Sequence, residues 1–359
     1  MNDLRSWKGR RVFVTGHTGF KGSWLTLWLH ELGAKVHGYA LDPPTNPSLF
    51  DIAKIGSALT EDTRADIRDA VGLDEALRRA QPDVVFHLAA QPLVRLSYAI
   101  PVETFDVNVI GTANLLQAIQ QIPSVRAALI VTSDKCYENR GSGQAHRETD
   151  ALGGRDPYSA SKACAEIVTT SFRASIGAVR SQTSRIAIAS ARAGNVIGGG
   201  DWSADRLVPD CVRSIINGEP VKLRYPQAVR PWLHVLEPLS GYLSLADRLL
   251  GKDADRYATA FNFGPSAEND ANVLEVAQNV VRIWGDNATI EVSTGPHPPE
   301  AETLRLDTTK AGTLLGWRAR WNLVLSLERT VEWYKAWHQR LDVRPIMMRQ
   351  LSTFVEAGG

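Results

Sequence analysis

A chain of 359 residues can bury a large core and has room for more than one domain. Lys and Arg total 40 and Asp and Glu 39, so a formal charge of +1 offers no broad basic field for nucleic acid or an anionic membrane. The 3 cysteines, Cys136, Cys164 and Cys211, show neither metal spacing nor a disulfide framework, and predict a reducing cytoplasm and no metal centre. Met1 to Arg5 leads into a strand and does not read as a signal peptide, and no uninterrupted apolar run reaches the length of a membrane span.

Arg11 to Thr15 is a short β-branched run and reads as a buried parallel strand. It meets Gly16, Gly19 and Gly22, spaced Gly-x-x-Gly-x-x-Gly. Ser23 to Leu32 then carries a broad apolar helical face ended by Gly33. Strand, glycine turn and helix form the context in which a backbone approaches a pyrophosphate at a helix N-terminus. Trp24 and Trp28 are assigned to the core. A second strand runs from Lys35 to Leu41 and ends at Asp42, placed to hold an adenosine ribose or to sit in a plain turn.

Val84 to Ala90 opens another buried strand. Its small end, Leu88-Ala89-Ala90, lets a cofactor lie close, and His87 within it reads as a satisfied core histidine. Val102 to Gln120 predicts one long helix, with Asn108 and Gly111 breaking its apolar pattern. Ala127 to Ser133 and Ser184 to Ser190 are further strands. Strands alternating with helices predict an α/β fold, a Rossmann-type doubly wound parallel sheet. Ligands of such sheets sit outside the carboxyl ends of the strands. Ser133, Asp134 and Lys135 fall at such an end, where they serve chemistry or form an exposed ion pair.

Tyr158 and Lys162 are four apart and share a helix face. An ammonium beside a phenol favours the phenolate, which can take a proton from an alcohol. The chain next runs through a second glycine-rich stretch, Arg192 to Trp202, with no helix pattern directly after it.

In this order the motifs resemble the extended short-chain dehydrogenase/reductase superfamily: Gly16 to Gly22, Asp66-Ile67, Leu88 to Ala90, Asn108, and Tyr158 to Lys162. A narrower set resembles the CDP-glucose 4,6-dehydratases: Gly16 to Trp24, Ala90 to Arg95, Thr132 to Tyr137, Arg192 to Trp202, Val229 to Val235 and Phe261 to Pro265. The likeness extends to about Trp337.

That resemblance implies a Rossmann domain over 1–190, with a return near 234–265. A smaller, interleaved α/β substrate domain would take 191–233 and 266–345, leaving 346–359 as a tail of unknown role. NAD is expected as a tightly held, recycled cofactor. Gly16, Gly19, Phe20, Lys21 and Gly22 would cradle its pyrophosphate, Asp66 and Ile67 its adenine, and Tyr158 and Lys162 its nicotinamide ribose. Leu88, Ala89, Ala90 and Asn108 complete that side. The usual ribose acid falls near Ala40, two residues before Asp42, and Lys21 beside the phosphates leaves NADP as the alternative. Arg95, Ser133, Asn195, Trp202, Arg206, Leu207, Arg230 and His234 would bind the nucleotide sugar; from the residues alone, Trp202 belongs to the core.

The implied reaction is an intramolecular redox dehydration of CDP-D-glucose to CDP-4-dehydro-6-deoxy-D-glucose, a hydro-lyase step of deoxysugar and surface-glycan biosynthesis. Tyr158 takes the 4-hydroxyl proton and Ser133 hydrogen-bonds the 4-oxygen. Asp134 and Lys135 serve as acid and base for the loss of water. Related dTDP-glucose dehydratases carry Asp-Glu here, so Lys135 replaces a carboxylate and must be neutral to act. A homodimer through a four-helix bundle, or a tetramer, is the family habit. The other classes are a dehydratase of another nucleotide sugar, a 4-epimerase, or a non-catalytic dinucleotide sensor. The Asp134–Lys135 pair argues against the epimerase, and the intact Tyr158, Lys162, Ser133 and Asp134 argue against the sensor.

Overall fold

The computed structural model describes residues 4–139, 141, 143–179, 185–266, 270–285, 288–293 and 303–358. Its centre is one parallel sheet of seven strands: β1 (Arg11–Thr15), β2 (Lys35–Ala40), β3 (Glu61–Arg64), β4 (Val84–His87), β5 (Ala127–Val131), β6 (Ala187–Ala193) and β7 (Ala260–Phe263). The order is β7-β6-β5-β4-β1-β2-β3. The chain winds outward from β1 to β3, then returns to the other side of β1 with β4. The crevice between β1 and β4 is therefore the switch point of the sheet. Thr15 lies opposite His87 there.

The strands are buried because the sheet carries helices on both faces. β4, β5 and β6 are buried at every residue, which accounts for their unbroken apolar runs. Alternation sorts β1 between the two cores. Val12 and Val14 face one, with the helix α1 (Phe20–Glu31), and Phe13 faces the other, with the helices α2 (Ala70–Ala80) and α3 (Gly111–Ile119). Residues Gly22 to Leu29 of α1 are all buried, Trp24 and Trp28 among them, so α1 is an interior helix. Ser184, where the sequence pattern starts the sixth strand, lies outside the described residues.

The stretch read as one helix over Val102 to Gln120 is helical but interrupted. A π turn, Asp106–Ile110, separates Pro101–Phe105 from α3 and re-aims Asn108. The long helix α4 (Pro157–Val179) follows β5, and α5 (Leu207–Asn217) follows β6. Three two-stranded pairings then form beside the main sheet: Val196–Ile197 with Leu233–His234, Val221–Leu223 with Ile290–Val292, and Val229–Arg230 with Ala271–Asn272. Helix α6 (Leu236–Leu249) packs on β5 and β6 before β7 joins the edge beside β6.

Helix α7 (Leu323–His338) leads to α8 (Arg344–Glu356), in the stretch the sequence left as a tail. Met347, Leu351 and Phe354 of α8 are buried, and the Phe354 ring meets Trp28 edge-on at 5.9 Å and Trp321 at 5.1 Å. Burial of such side chains is worth up to about 1.5–3 kcal/mol each. The last helix therefore belongs to the core around α1.

Candidate active site

The glycine turn and the end of β4 are fitted to one another. Gly16 has φ +75, and a Cβ on it would lie 2.6 Å from the Ala89 nitrogen. A Cβ on Gly22 would lie 2.1 Å from the Gly16 oxygen. Thr15 Oγ1 accepts from the N–H groups of Leu88 and Ala89, both at 3.2 Å. Leu88 to Ala90 thus run along the glycine turn at the switch point. Gly19 caps α1 without a side chain, and no acidic residue stands in the first turn. Helix N–H groups placed this way suit a dinucleotide pyrophosphate. Phe20, at the start of α1, packs toward Gly198, whose Cβ would come 3.1 Å from the ring.

The Asp42 side chain is 90 % exposed beyond β2 and paired to Arg64 at 3.6 Å. A second carboxylate is tied to the glycine turn, Asp62 on β3, whose Oδ1 lies 2.8 Å from His17 Nε2. Asn108 acts as a brace. Its Oδ1 accepts from Gln91 N at 2.8 Å, and its Nδ2 donates to Gln91 O at 3.1 Å and Ser161 Oγ at 2.9 Å. With both amide hydrogens used, it ties the end of β4 to α4. Ile67 is buried beneath Gly111, and the Asp66 carboxylate is held by Arg68 at 2.6 Å, which keeps it below the usual carboxylate range.

The carboxyl end of β5 and the first turns of α4 meet. Ser133 Oγ donates to Asp134 Oδ1 at 3.0 Å and accepts from Lys135 N at 3.2 Å. The Tyr158 hydroxyl is hydrogen-bonded to Ser133. Lys135 Nζ lies 3.5 Å from Asp134 Oδ1 and 3.5 Å from Asn195 Oδ1. Asp134 is fully buried, and its Oδ2 has no hydrogen-bond partner among the described residues. Tyr158 N donates to Ser97 Oγ at 3.1 Å, which fixes the start of the helix.

Burial sets the electrostatics of this pair. It pushes the Tyr158 phenol up to about 12, with the Ser133 hydrogen bond acting against it. It pushes the Lys162 amine down to about 8, opposed by Glu166. The sequence expectation that Lys162 lowers the tyrosine is outweighed in the protein alone, because a buried phenolate loses its hydration. Lys162 Nζ donates to Val131 O at 3.4 Å. His87 is the satisfied core histidine expected, held by Thr15 at 2.7 Å and Thr112 at 3.1 Å.

Sequence reading missed Glu166. It accepts from Thr132 Oγ1 at 2.5 Å, Ser190 Oγ at 2.7 Å and Arg192 at 2.8 Å, wholly out of solvent. Arg192 also donates to the Tyr137 hydroxyl at 2.8 Å. The network joins α4 to the ends of β5 and β6, directly behind Ser133. Its one sequence signal is spacing, since Glu166 follows Lys162 by one helical turn.

These groups open on a cleft of about 890 Å³ whose lining includes Lys21, Arg95, Asn195, Arg206, Leu207 and Arg230. Arg95 pairs with Asp205 at 2.8 Å and Arg206 with Asp201 at 2.8 Å. Lys21 lines this cleft together with Ser133, Asp134, Lys135 and Tyr158. Two expected substrate residues stand elsewhere. Trp202 packs on Trp337 at 4.4 Å and Tyr334 at 5.1 Å, as its core reading had it. His234 is fully buried between Trp24 at 6.2 Å and Trp321 at 4.8 Å, and burial pushes its imidazole down to about 3.

The model of the GDP-mannose 4,6 dehydratase family matches residues 13–330. The chain is 48 % identical over 358 residues to a CDP-glucose 4,6-dehydratase of Salmonella typhimurium, covering 99 % of each. Among solved structures, a Thermus thermophilus UDP-glucose 4-epimerase in complex with NAD is 26 % identical with TM-score 0.76, over 90 % of this chain and 99 % of that one. A Bacillus anthracis dTDP-glucose 4,6-dehydratase in complex with NAD shares the fold at 22 % identity and TM-score 0.75, over 93 % of this chain and 99 % of that one.

Proposed function

The chain belongs to the nucleotide-sugar 4,6-dehydratase family, and from that premise we propose that it is an NAD-dependent hydro-lyase converting CDP-D-glucose to CDP-4-dehydro-6-deoxy-D-glucose. The observation that carries the dehydratase reading is the buried Asp134 carboxyl 3.5 Å from the Lys135 amine, beside the Tyr158 phenol. Likeness over 99 % of the chain to a CDP-glucose enzyme supports the nucleotide. The product feeds deoxysugar and surface-glycan synthesis.

When bound, NAD supplies the hydride acceptor for carbon 4 and the hydride donor for carbon 6. Its pyrophosphate would lie on the Gly16–Gly22 turn and its nicotinamide ribose against Tyr158 and Lys162. Tyr158 takes the proton of the 4-hydroxyl as phenolate, the form that the positive charge of bound NAD beside it would favour, and Ser133 holds the same oxygen. The new ketone acidifies carbon 5. Lys135 removes that proton, and Asp134 protonates the leaving 6-oxygen. Asp134 Oδ2, which has no hydrogen-bond partner among the described residues, is a place from which a proton can be donated. Lys135 then returns a proton to carbon 5. Asn195 and Arg230 bind the diphosphate, charge-assisted in the case of Arg230, and Arg206 and Leu207 line the nucleotide site.

Turnover of CDP-glucose and dTDP-glucose is expected to differ in kcat/KM by about tenfold or more in favour of CDP-glucose. Absorbance of the 4-keto product across nucleotide glucoses reads this directly, and equal or better turnover of dTDP-glucose overturns the nucleotide assignment.

The protein works as a homodimer through a four-helix bundle, with a tetramer as the larger alternative. Val102 is 80 % exposed, Ile110 50 % and Ile167 56 %, on adjacent helical segments. Apolar side chains grouped this way suit a partner surface. Val102→Glu with Ile167→Glu is expected to yield monomers by light scattering. A wild-type protein that is monomeric at micromolar concentration sinks the idea. A nucleotide-sugar substrate and the free Cys136, Cys164 and Cys211 suit the cytoplasm.

A further inference from the structure

We propose that Glu166 is a positioning residue for the first proton transfer: its carboxylate clamps the catalytic turn after β5 against α4 and so sets how Ser133 meets Tyr158. The inference rests on the nucleotide-sugar reading above. Tyr158, Lys162 and Glu166 stand at four-residue intervals on α4, which places them in one row along its surface. Each of the three meets the end of β5. The Tyr158 hydroxyl is hydrogen-bonded to Ser133, Lys162 Nζ donates to Val131 O at 3.4 Å, and Thr132 Oγ1 donates to Glu166 Oε1 at 2.5 Å. Tyr158 lines the cleft, while Glu166 lies behind it and does not.

The two carboxylate oxygens of Glu166 are used differently. Oε2 accepts from Ser190 Oγ at 2.7 Å and from Arg192 at 2.8 Å, so Glu166 is anchored on β6, the strand beside β5. Oε1 is left to hold Thr132. The paired register of β5 and β6 ends at Val131, so Ser133 begins the catalytic turn just outside the ladder. The Thr132 side chain is what ties that exit to α4.

The far end of the turn leads to the same carboxylate. Tyr137 follows the turn Asp134–Cys136, and its hydroxyl accepts from Arg192 at 2.8 Å and donates to Asn262 Oδ1 at 2.6 Å. Arg192 also lies over the Tyr137 ring, 4.8 Å from its centre. The segment bearing Ser133, Asp134 and Lys135 is thus held before and after by side chains that converge on Glu166. A buried ion pair adds little stability that apolar residues of similar size would not. What Glu166 and Arg192 supply is a fixed geometry, and misplacing reacting groups by about 1 Å costs up to ~10²-fold in rate.

The test isolates the oxidation of carbon 4. Its substrate is the 6-deoxy analogue of whichever nucleotide glucose the wild-type protein turns over. With no 6-hydroxyl to expel, hydride passes from carbon 4 to bound NAD, Tyr158 takes the hydroxyl proton, and the reaction stops at ketone and NADH. Rapid mixing with the NAD-loaded protein, followed by NADH absorbance, gives a rate constant that does not depend on how much protein is folded. Thr132→Val removes the hydroxyl that reaches Glu166 and is expected to lower that rate constant by ~10–10²-fold at saturating analogue, with its binding affinity unchanged. Thr132→Ser keeps the hydroxyl and should keep the wild-type rate constant. Glu166→Gln should slow the step at least as much as Thr132→Val. A wild-type rate constant in Thr132→Val, even with a lowered thermal midpoint, overturns the proposal, as does an equal loss in Thr132→Ser; neither result needs Glu166→Gln to fold. Failure of the nucleotide-sugar reading would show separately, as wild-type protein that removes water from no nucleotide glucose.

Discussion

Tyr158→Phe is expected to fold, to bind CDP-glucose, and to lose ~10²–10⁴-fold in turnover. The substitution removes one oxygen and keeps the ring, which is 8 % exposed and seated at the start of α4. Its backbone N–H still donates to Ser97, and Ser133 still has Asp134 and Lys135 N as partners. What is lost is the acceptor for the 4-hydroxyl proton. All later steps depend on the ketone, so the first proton transfer gates the whole sequence. The check is steady-state turnover beside equilibrium binding of CDP-glucose. Turnover near the wild-type level removes Tyr158 from the mechanism, while loss of binding with loss of turnover reduces it to a structural role.

The parts of this site that were legible in the sequence are those fixed by local backbone need. Gly16 and Gly22 are glycines because a Cβ would strike backbone at each, and that need sits within one turn of chain. Tyr158 and Lys162 are legible because one helix sets their spacing. What stayed hidden depends on partners far along the chain. β3 is a charged edge strand, Glu61 to Arg64, with no apolar signal, so Asp62 beneath His17 went unseen. Glu166 has meaning only beside Arg192, which arrives with β6. Motif membership also does not say which way a side chain faces. Asn195 and Trp202 share one glycine-rich stretch, yet Asn195 meets Lys135 and Trp202 meets Trp337. In α8 the signal was present and unread, because Met347, Leu351 and Phe354 follow the spacing of a buried helical stripe.

Lys135→Met and Asp134→Asn are expected to stop the reaction after carbon 4 is oxidised. Methionine keeps the length of the side chain and removes the amine. Oxidation needs Tyr158 and Ser133, which both variants retain. A 4-keto sugar that has kept its 6-hydroxyl should therefore accumulate, and trapping by borodeuteride followed by mass analysis would reveal it. Overall turnover should fall by ~10²–10⁴-fold in each. Exchange of the carbon 5 proton with deuterated solvent separates the two roles. In Lys135→Met the base is gone and exchange should collapse. In Asp134→Asn the base survives, so some exchange should persist although water is not expelled. The competing role for Lys135 is to position substrate, through Asn195 at 3.5 Å. That role predicts a raised KM with exchange intact at saturating substrate. Unimpaired exchange in Lys135→Met would leave Asp134 as the acid and assign the base elsewhere in the cleft.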